Sequence, residues 1–182
     1  MVLNNKPQMF TFYFPTTFFY DDVCKKWGPI INKMRLPYQS VTDFMNSQVQ
    51  TVTFPSLTVD TPIQQRGQYE IAYPSGKELE VLIDKTLRIT FKLTESYISY
   101  WILWDQMDIY LHYGDKIGER EPIWMEPVRL GFLNDAGFML TEFLFSEITP
   151  TNLSEINLSY AASVASYNTF SWTLHYNRFD IV

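Results

Sequence analysis

The stretch from Leu87 to Tyr113, LRITFKLTESYISYWILWDQMDIYLHY, constrains this chain more than any other, because it joins two incompatible periodicities without a linker. Leu87, Ile89, Phe91 and Leu93 alternate with Arg88, Thr90 and Lys92, the two-residue period of a half-buried strand. From Thr94 onward the period changes to that of a helix. Thr94 suits an N-cap, and Glu95 places a negative charge where the helix dipole favours it. Tyr97, Tyr100, Trp101, Trp104, Met107 and Leu111 then recur at helical spacing, and Ile98, Ile102 and Ile109 widen the apolar face. Such a helix reaches roughly 27 Å at 1.5 Å per residue. It carries more apolar surface than one sheet can cover. The expectation is that one flank, with Trp101 and Trp104, fills the subunit's own core, and that the other, with Ile98, Ile102 and Ile109, meets a second copy of the chain.

The rest reads mostly as strands. MFTFYF at 9–14 is a short aromatic strand broken by Pro15, and VQTVTF at 49–54 a second one closed by Pro55. Between them, 18–27 suggests a short helix ended by Gly28-Pro29, 30–36 is ambiguous, and Ser40 or Thr42 can cap a helix over VTDFMNSQ. Residues 56–76 form a long irregular excursion with an extended piece at Gln68–Tyr73, and 77–83 begins another strand. A loop of that length in a compact domain is usually functional or completed by a partner. After the helix, 114–122 is a charged loop. Residues 127–134 and 138–148 make a hairpin around Asp135-Ala136-Gly137, and Thr149-Pro150-Thr151 interrupts the chain before a short strand, SEINLSY. The last strand, 168–179, presents Phe170, Trp172, Leu174 and Tyr176 on one face. The fold class expected is α+β: one domain over 1–182, a mainly antiparallel β-barrel or sandwich with one long packed helix.

Little here supports catalysis. The two histidines, His112 and His175, lack metal-ligand spacing, and the latter falls out of phase with the aromatic face, hence exposed. Asp105 and Asp108 could share a helix face as paired acids, but a polar seam or an intersubunit ion pair is the simpler reading. No phosphate loop, nucleophile elbow or dinucleotide fingerprint occurs, so no cofactor and no metal are expected. The balance of 14 basic against 20 acidic residues, net −6, excludes the basic footprint of tight nucleic-acid binding. The single cysteine, Cys24, permits no internal disulfide and fits a reducing compartment. The first ten residues lack a secretory pattern, and Asp105, Gln106 and Asp108 make the helix a poor membrane span.

The order of elements carries a resemblance. A strand ending in VTFPSL is followed by the long loop, then by LRITFKL running into ESYISYWILWDQM. The hairpin VRLGFLNDAGFMLTEFLFSEI leads through TPTNL to the closing TFSWTLHYNRF. This resembles the tube-forming proteins of bacteriophage tails, whose fold is shared with the haemolysin-coregulated tube protein of type VI secretion. The resemblance implies a virion structural protein, assembled in the host cytoplasm, that self-associates into six-membered rings around a channel through which DNA passes without specific binding. It implies other tail proteins as partners, and no membrane. The arm at about 55–77 would reach a neighbour, with Gln68, Tyr69, Ile71 and Tyr73 at that contact. Glu70, Glu78, Glu80 and Glu142 are the candidates for the lumen, where acidic groups would repel phosphates. The segment at about 18–45 is an insertion relative to that pattern and leaves open a hub, terminator or neck-type adaptor ring. A reading from another class is a monomeric β-barrel that binds a ligand among its aromatics.

Overall fold

The computed structural model describes residues 9–34, 37–56, 63–66, 69–72, 84–116, 124–134, 136–156 and 168–182. Six strands form one antiparallel sheet: β1 (Phe10–Tyr13), β2 (Val49–Thr53), β5 (Thr86–Lys92), β6 (Val128–Leu133), β7 (Met139–Leu153) and β8 (Thr169–Ile181). Their spatial order is β1-β6-β7-β8-β5-β2. A separate two-stranded hairpin consists of β3 (Ile63–Arg66) and β4 (Tyr69–Ala72). Three helices complete the described residues: α1 (Asp21–Lys33), α2 (Val41–Gln48) and α3 (Ile98–Lys116). The fold class is α+β, a mainly antiparallel and nearly closed barrel with helices packed on it.

Alternation puts the core where the sequence pattern asks for it. Leu87, Ile89 and Phe91 of β5 and Phe170, Trp172, Leu174 and Tyr176 of β8 are buried, and the two strands pair with Ile89 opposite Trp172 and Phe91 opposite Phe170. Phe14 and Phe18, just after β1, add rings against Trp172 at 6.4 and 6.0 Å. Each such side chain contributes about 1.5–3 kcal/mol on full burial. The 18–45 segment also feeds this core: Phe18, Phe19, Val23, Ile31, Val41, Phe44 and Met45 are all buried.

Among the described residues the barrel does not close by backbone pairing, and β1 and β2 are its two edges. Side chains bridge the gap at both ends. Near the end of β1, Asn46 of α2 bonds both main-chain groups of Phe14. Beyond β2, Phe54 packs on Phe132, Phe143 and Phe179 at 5.9, 5.0 and 6.0 Å.

Two prolines do not stop their elements. α1 runs through Gly28-Pro29, which the sequence reading takes as its end. A proline restricts the residue before it through that residue's Cβ, and Gly28 has none. Val23 and Ile31, buried on either side of the proline, hold both halves of the helix on the core. β7 likewise continues past Ile148 through Pro150 to Leu153, where an interruption is expected. β6 pairs with β7 only as far as Phe145, so Pro150 sits where one flank of β7 has no ladder, beside a bulge between Pro150 and Asn152. The separate strand expected at 154–160 is not seen over Ser154–Ile156, and its remainder lies outside the described residues. So do the strand expected at 77–83 and most of the loop expected at 114–122, of which 114–116 prolong α3.

Helix α3 begins later than Glu95. Ser96 and Tyr97 both have positive φ, 58° and 57°, and the α-helix starts at Ile98. Thr94 still caps it: its Oγ1 accepts from the Ser99 N–H at 3.2 Å, while buried Ser99 donates to the Lys92 carbonyl at 3.1 Å. The strand-to-helix corner is thus locked by two hydroxyls at the cost of two left-handed residues.

Candidate assembly surfaces

Helix α3 carries two apolar stripes, and their burial is the reverse of that expected. Ile98, Ser99, Ile102, Leu103 and Gln106 are buried; Ile102 has no exposed surface. Tyr97, Trp101, Trp104, Asp108 and Leu111 form the opposite stripe, with Trp101 45% and Trp104 51% exposed. Ile98 and Ile102 therefore belong to the subunit's own core and are not contact residues, and Trp101 and Trp104 are not core residues. Ile109 is half-buried and packs on the core. The rings of Phe14, Phe18, Phe91, Phe170 and Trp172 share one buried core cluster with Ile98, Ile102 and Leu103 of the helix. Gln106 was missed for its polarity. Its Oε1 accepts from the Tyr20 N–H and its Nε2 donates to the Phe18 carbonyl, both at 3.0 Å, so its amide satisfies the chain leading into α1.

Asp105 and Asp108 do not form an acid pair. Asp105 accepts from Trp27 Nε1 at 2.6 Å and meets Lys26 Nζ at 2.5 Å, which fastens α1 to α3. Asp108 is exposed and lies 3.5 Å from His112, one turn on. His175 is half-buried, not exposed. Burial, then the nearby Asp21 carboxylate, pushes the Cys24 thiol up from its usual value, and its Sγ points to the Phe19 carbonyl. Among the described residues no group of three or more His, Cys, Asp or Glu could hold a metal ion, and no helix is long and apolar enough to cross a membrane.

A groove of about 270 Å³ runs between Trp104, Met107, Asp108 and Leu111 of α3 and Thr151–Leu153 of β7. A second apolar surface is the tip of the β6–β7 hairpin, where Phe138 is 70% and Leu140 63% exposed and Met139 is half-exposed. Exposed Ile181 and Val182, at the end of the neighbouring β8, extend it. Asn134 rigidifies this tip: its Oδ1 accepts from the Ala136 and Phe138 N–H groups at 2.9 and 2.8 Å, and Gly137 supplies the positive φ, 82°. Leu140 is the extra residue of a bulge between the pairs Phe132–Thr141 and Leu133–Met139. The arm is the third surface, with Ile63 and Tyr69 exposed on β3–β4.

Of the other arm and lumen candidates, Glu70 is exposed on β4, and Ile71 lies in the same strand. Gln68, Tyr73, Glu78 and Glu80 lie outside the described residues. Glu142 is half-buried and 3.3 Å from Arg129. The hairpin tip was not singled out by sequence, although three consecutive large apolar residues directly after a turn were the available signal.

Among solved structures, the chain is similar to one in the 6-fold symmetrised baseplate of the anti-feeding prophage, with 14% identity, 74% of this chain and 80% of that one covered, and a TM-score of 0.49. It is also similar to a chain in the sheath–tube complex of the PVC extracellular contractile injection system, with 16% identity, 74% and 80% coverage and a TM-score of 0.43. A third is the crystal structure of Hcp protein, with 14% identity, 72% and 67% coverage and a TM-score of 0.43. The likeness is of strand arrangement and goes no further. No family model and no curated protein matches the sequence.

Proposed function

We propose that this chain is a structural subunit of a phage-type tail, self-assembling into a ring, six-membered on the family pattern, that builds or caps the tube around a DNA channel. The observation that carries the reading is the distribution of exposed apolar surface on a well-packed barrel. The Tyr97–Trp101–Trp104–Leu111 stripe, the Phe138–Leu140 tip and the Ile63–Tyr69 arm all carry exposed large apolar side chains. A monomer rarely exposes contiguous apolar surface beyond a few hundred Å² in even one place. Among the described residues the barrel has two strand edges, β1 and β2, of the kind that closed rings pair or cover. The order of elements in the sequence supports the tube family, and with it a place in the virion tail beside other tail proteins. A repeating tube subunit and a terminal or adaptor ring would use the same surfaces, and both roles fit the proposal. A ligand-binding barrel is disfavoured because the interior is filled by Phe14, Phe91, Phe145, Trp172 and Tyr176, all essentially inaccessible.

Native mass measurement over a concentration series, with negative-stain imaging, tests the proposal. Rings or tubes are expected; a protein that stays monomeric at high concentration overturns it.

A further inference from the structure

We infer that the Phe138–Met139–Leu140 tip of one copy seats in the α3–β7 groove of the next, making a head-to-tail contact. The inference rests on the self-assembly reading and names the two surfaces that meet. The tip lies at the start of β7 and the groove at its end, at Thr151–Leu153. Fifteen residues of strand lie between them, a contour of at most roughly 45 Å at about 3.3 Å per residue, shortened by the left-handed Glu147 (φ 55°) and the bulge after Pro150. Surfaces at opposite ends of one strand suit a heterologous contact, which propagates from copy to copy and gives a ring or a stack according to whether its rotation closes.

The tip is built to insert. Asn134 and Gly137 fix its turn, so presenting Phe138 costs little ordering on binding. Met139 is held as well: a Cβ on Gly131 would lie 3.0 Å from Met139 Cε, so the missing side chain there gives Met139 its resting place. The groove offers Trp104, Met107 and Leu111 as an apolar wall, with Trp101 stacked edge-on against Trp104 at 6.2 Å. Large aromatic side chains bury roughly 150–250 Å² each. The exposed parts of the tip with Ile181 and Val182, and of the helix stripe, together hold on the order of 1,000 Å² if all are covered, which reaches the lower bound for a specific interface. That match favours a second copy of this chain as the occupant.

Two variants test it. F138S/L140S damages the tip and leaves the groove; L111E damages the groove and leaves the tip. All three positions are exposed, so each variant should keep the wild-type circular dichroism and melting temperature. Each alone should need more than about tenfold higher concentration to assemble. Mixed in equal amounts they should form heterodimers and stop there, because one sound tip and one sound groove remain per pair. Photo-crosslinking from position 138 of otherwise unaltered protein should label peptides spanning 101–111 or 151–153 of another copy. If the wild type assembles while both variants assemble equally well, or the mixture yields no heterodimer and the crosslinks fall elsewhere, this contact is wrong and the self-assembly reading stands. A monomeric wild type overturns both.

Discussion

Phe14 and Asn46 hold each other as two strand residues would: the Phe14 N–H donates to Asn46 Oδ1 at 2.9 Å, and Asn46 Nδ2 donates to the Phe14 carbonyl at 3.2 Å. A side-chain amide on α2 thus stands in for the missing ladder at one end of the β1–β2 gap. Asn46→Ala leaves both main-chain groups without that partner and should cost about 1–3 kcal/mol. Asn46→Asp keeps the acceptor but sets a carboxylate against the Phe14 carbonyl, and should be no better than alanine. Urea unfolding checks this: the midpoint should fall in both variants with the slope unchanged.

The two stripes of α3 predict opposite outcomes for neighbouring substitutions. Ile102→Glu places a charge at a position with no exposed surface and should cost about 3–5 kcal/mol, a large share of the roughly 5–15 kcal/mol of an ordinary domain, so its melting temperature should fall sharply. Trp104→Ser, on the exposed stripe, should change monomer stability by less than about 1 kcal/mol while weakening assembly. Thermal melts and native mass separate the two. An Ile102→Glu variant that melts like the wild type would show that the inner stripe is misassigned.

What could be read in advance divides along physical lines. β5 and β8 were legible because each has one wet and one dry face, so Leu87–Phe91 and Phe170–Tyr176 alternate cleanly. The existence of α3 was legible for the same reason, but not its orientation. Ile98 and Ile102 lie on one side and Trp101 and Trp104 on the other, and hydrophobicity alone does not rank two apolar faces. The deciding residue is Gln106, whose burial depends on main-chain groups 86 and 88 positions away. Pro29 and Pro150 misled because their elements survive through context: a glycine before one, and a missing neighbour strand beside the other. Of the exposed apolar surfaces, the tip could not be read in advance, because it needed the turn held by Asn134 to show that Phe138 and Leu140 stay in solvent.

Gln106 also offers a pH test. In Gln106→Glu the carboxylate can still accept from the Tyr20 N–H, but only the protonated acid can donate to the Phe18 carbonyl. Burial and that carbonyl should raise the folded pKa of the new group above the unfolded value of about 4.3. The protonated form is then favoured by folding, so the stability it confers is complete below about pH 4.3 and is lost as pH rises through the folded value. Relative to wild type, the variant should be less stable at pH 7 by roughly 2–4 kcal/mol, and the gap should narrow toward pH 4. Paired urea titrations at pH 4, 5.5 and 7 read this directly; a gap that widens on acidification contradicts the assigned bonds.

Tyr176 gives the corresponding test at alkaline pH in the native protein. Its phenol is pushed from its usual 10 up to about 12, first by burial and then by the Asp84 carboxylate, while its hydroxyl donates to the Asp84 carbonyl at 3.0 Å. A raised folded pKa means that the protonated phenol stabilises the fold fully below pH 10, and that this stability is lost as pH climbs from 10 through 12. At about 1.4 kcal/mol per pH unit the loss approaches 3 kcal/mol at the upper end. Tyr176→Phe removes the titrating group together with its hydrogen bond, so it should be about 1 kcal/mol less stable than wild type at pH 8. Between pH 10 and 11.5 its stability should then fall more slowly, because other tyrosines and lysines titrate alike in both proteins. Urea midpoints converging over that range would bear out the buried phenol; parallel curves would show that ionising Tyr176 costs the fold nothing.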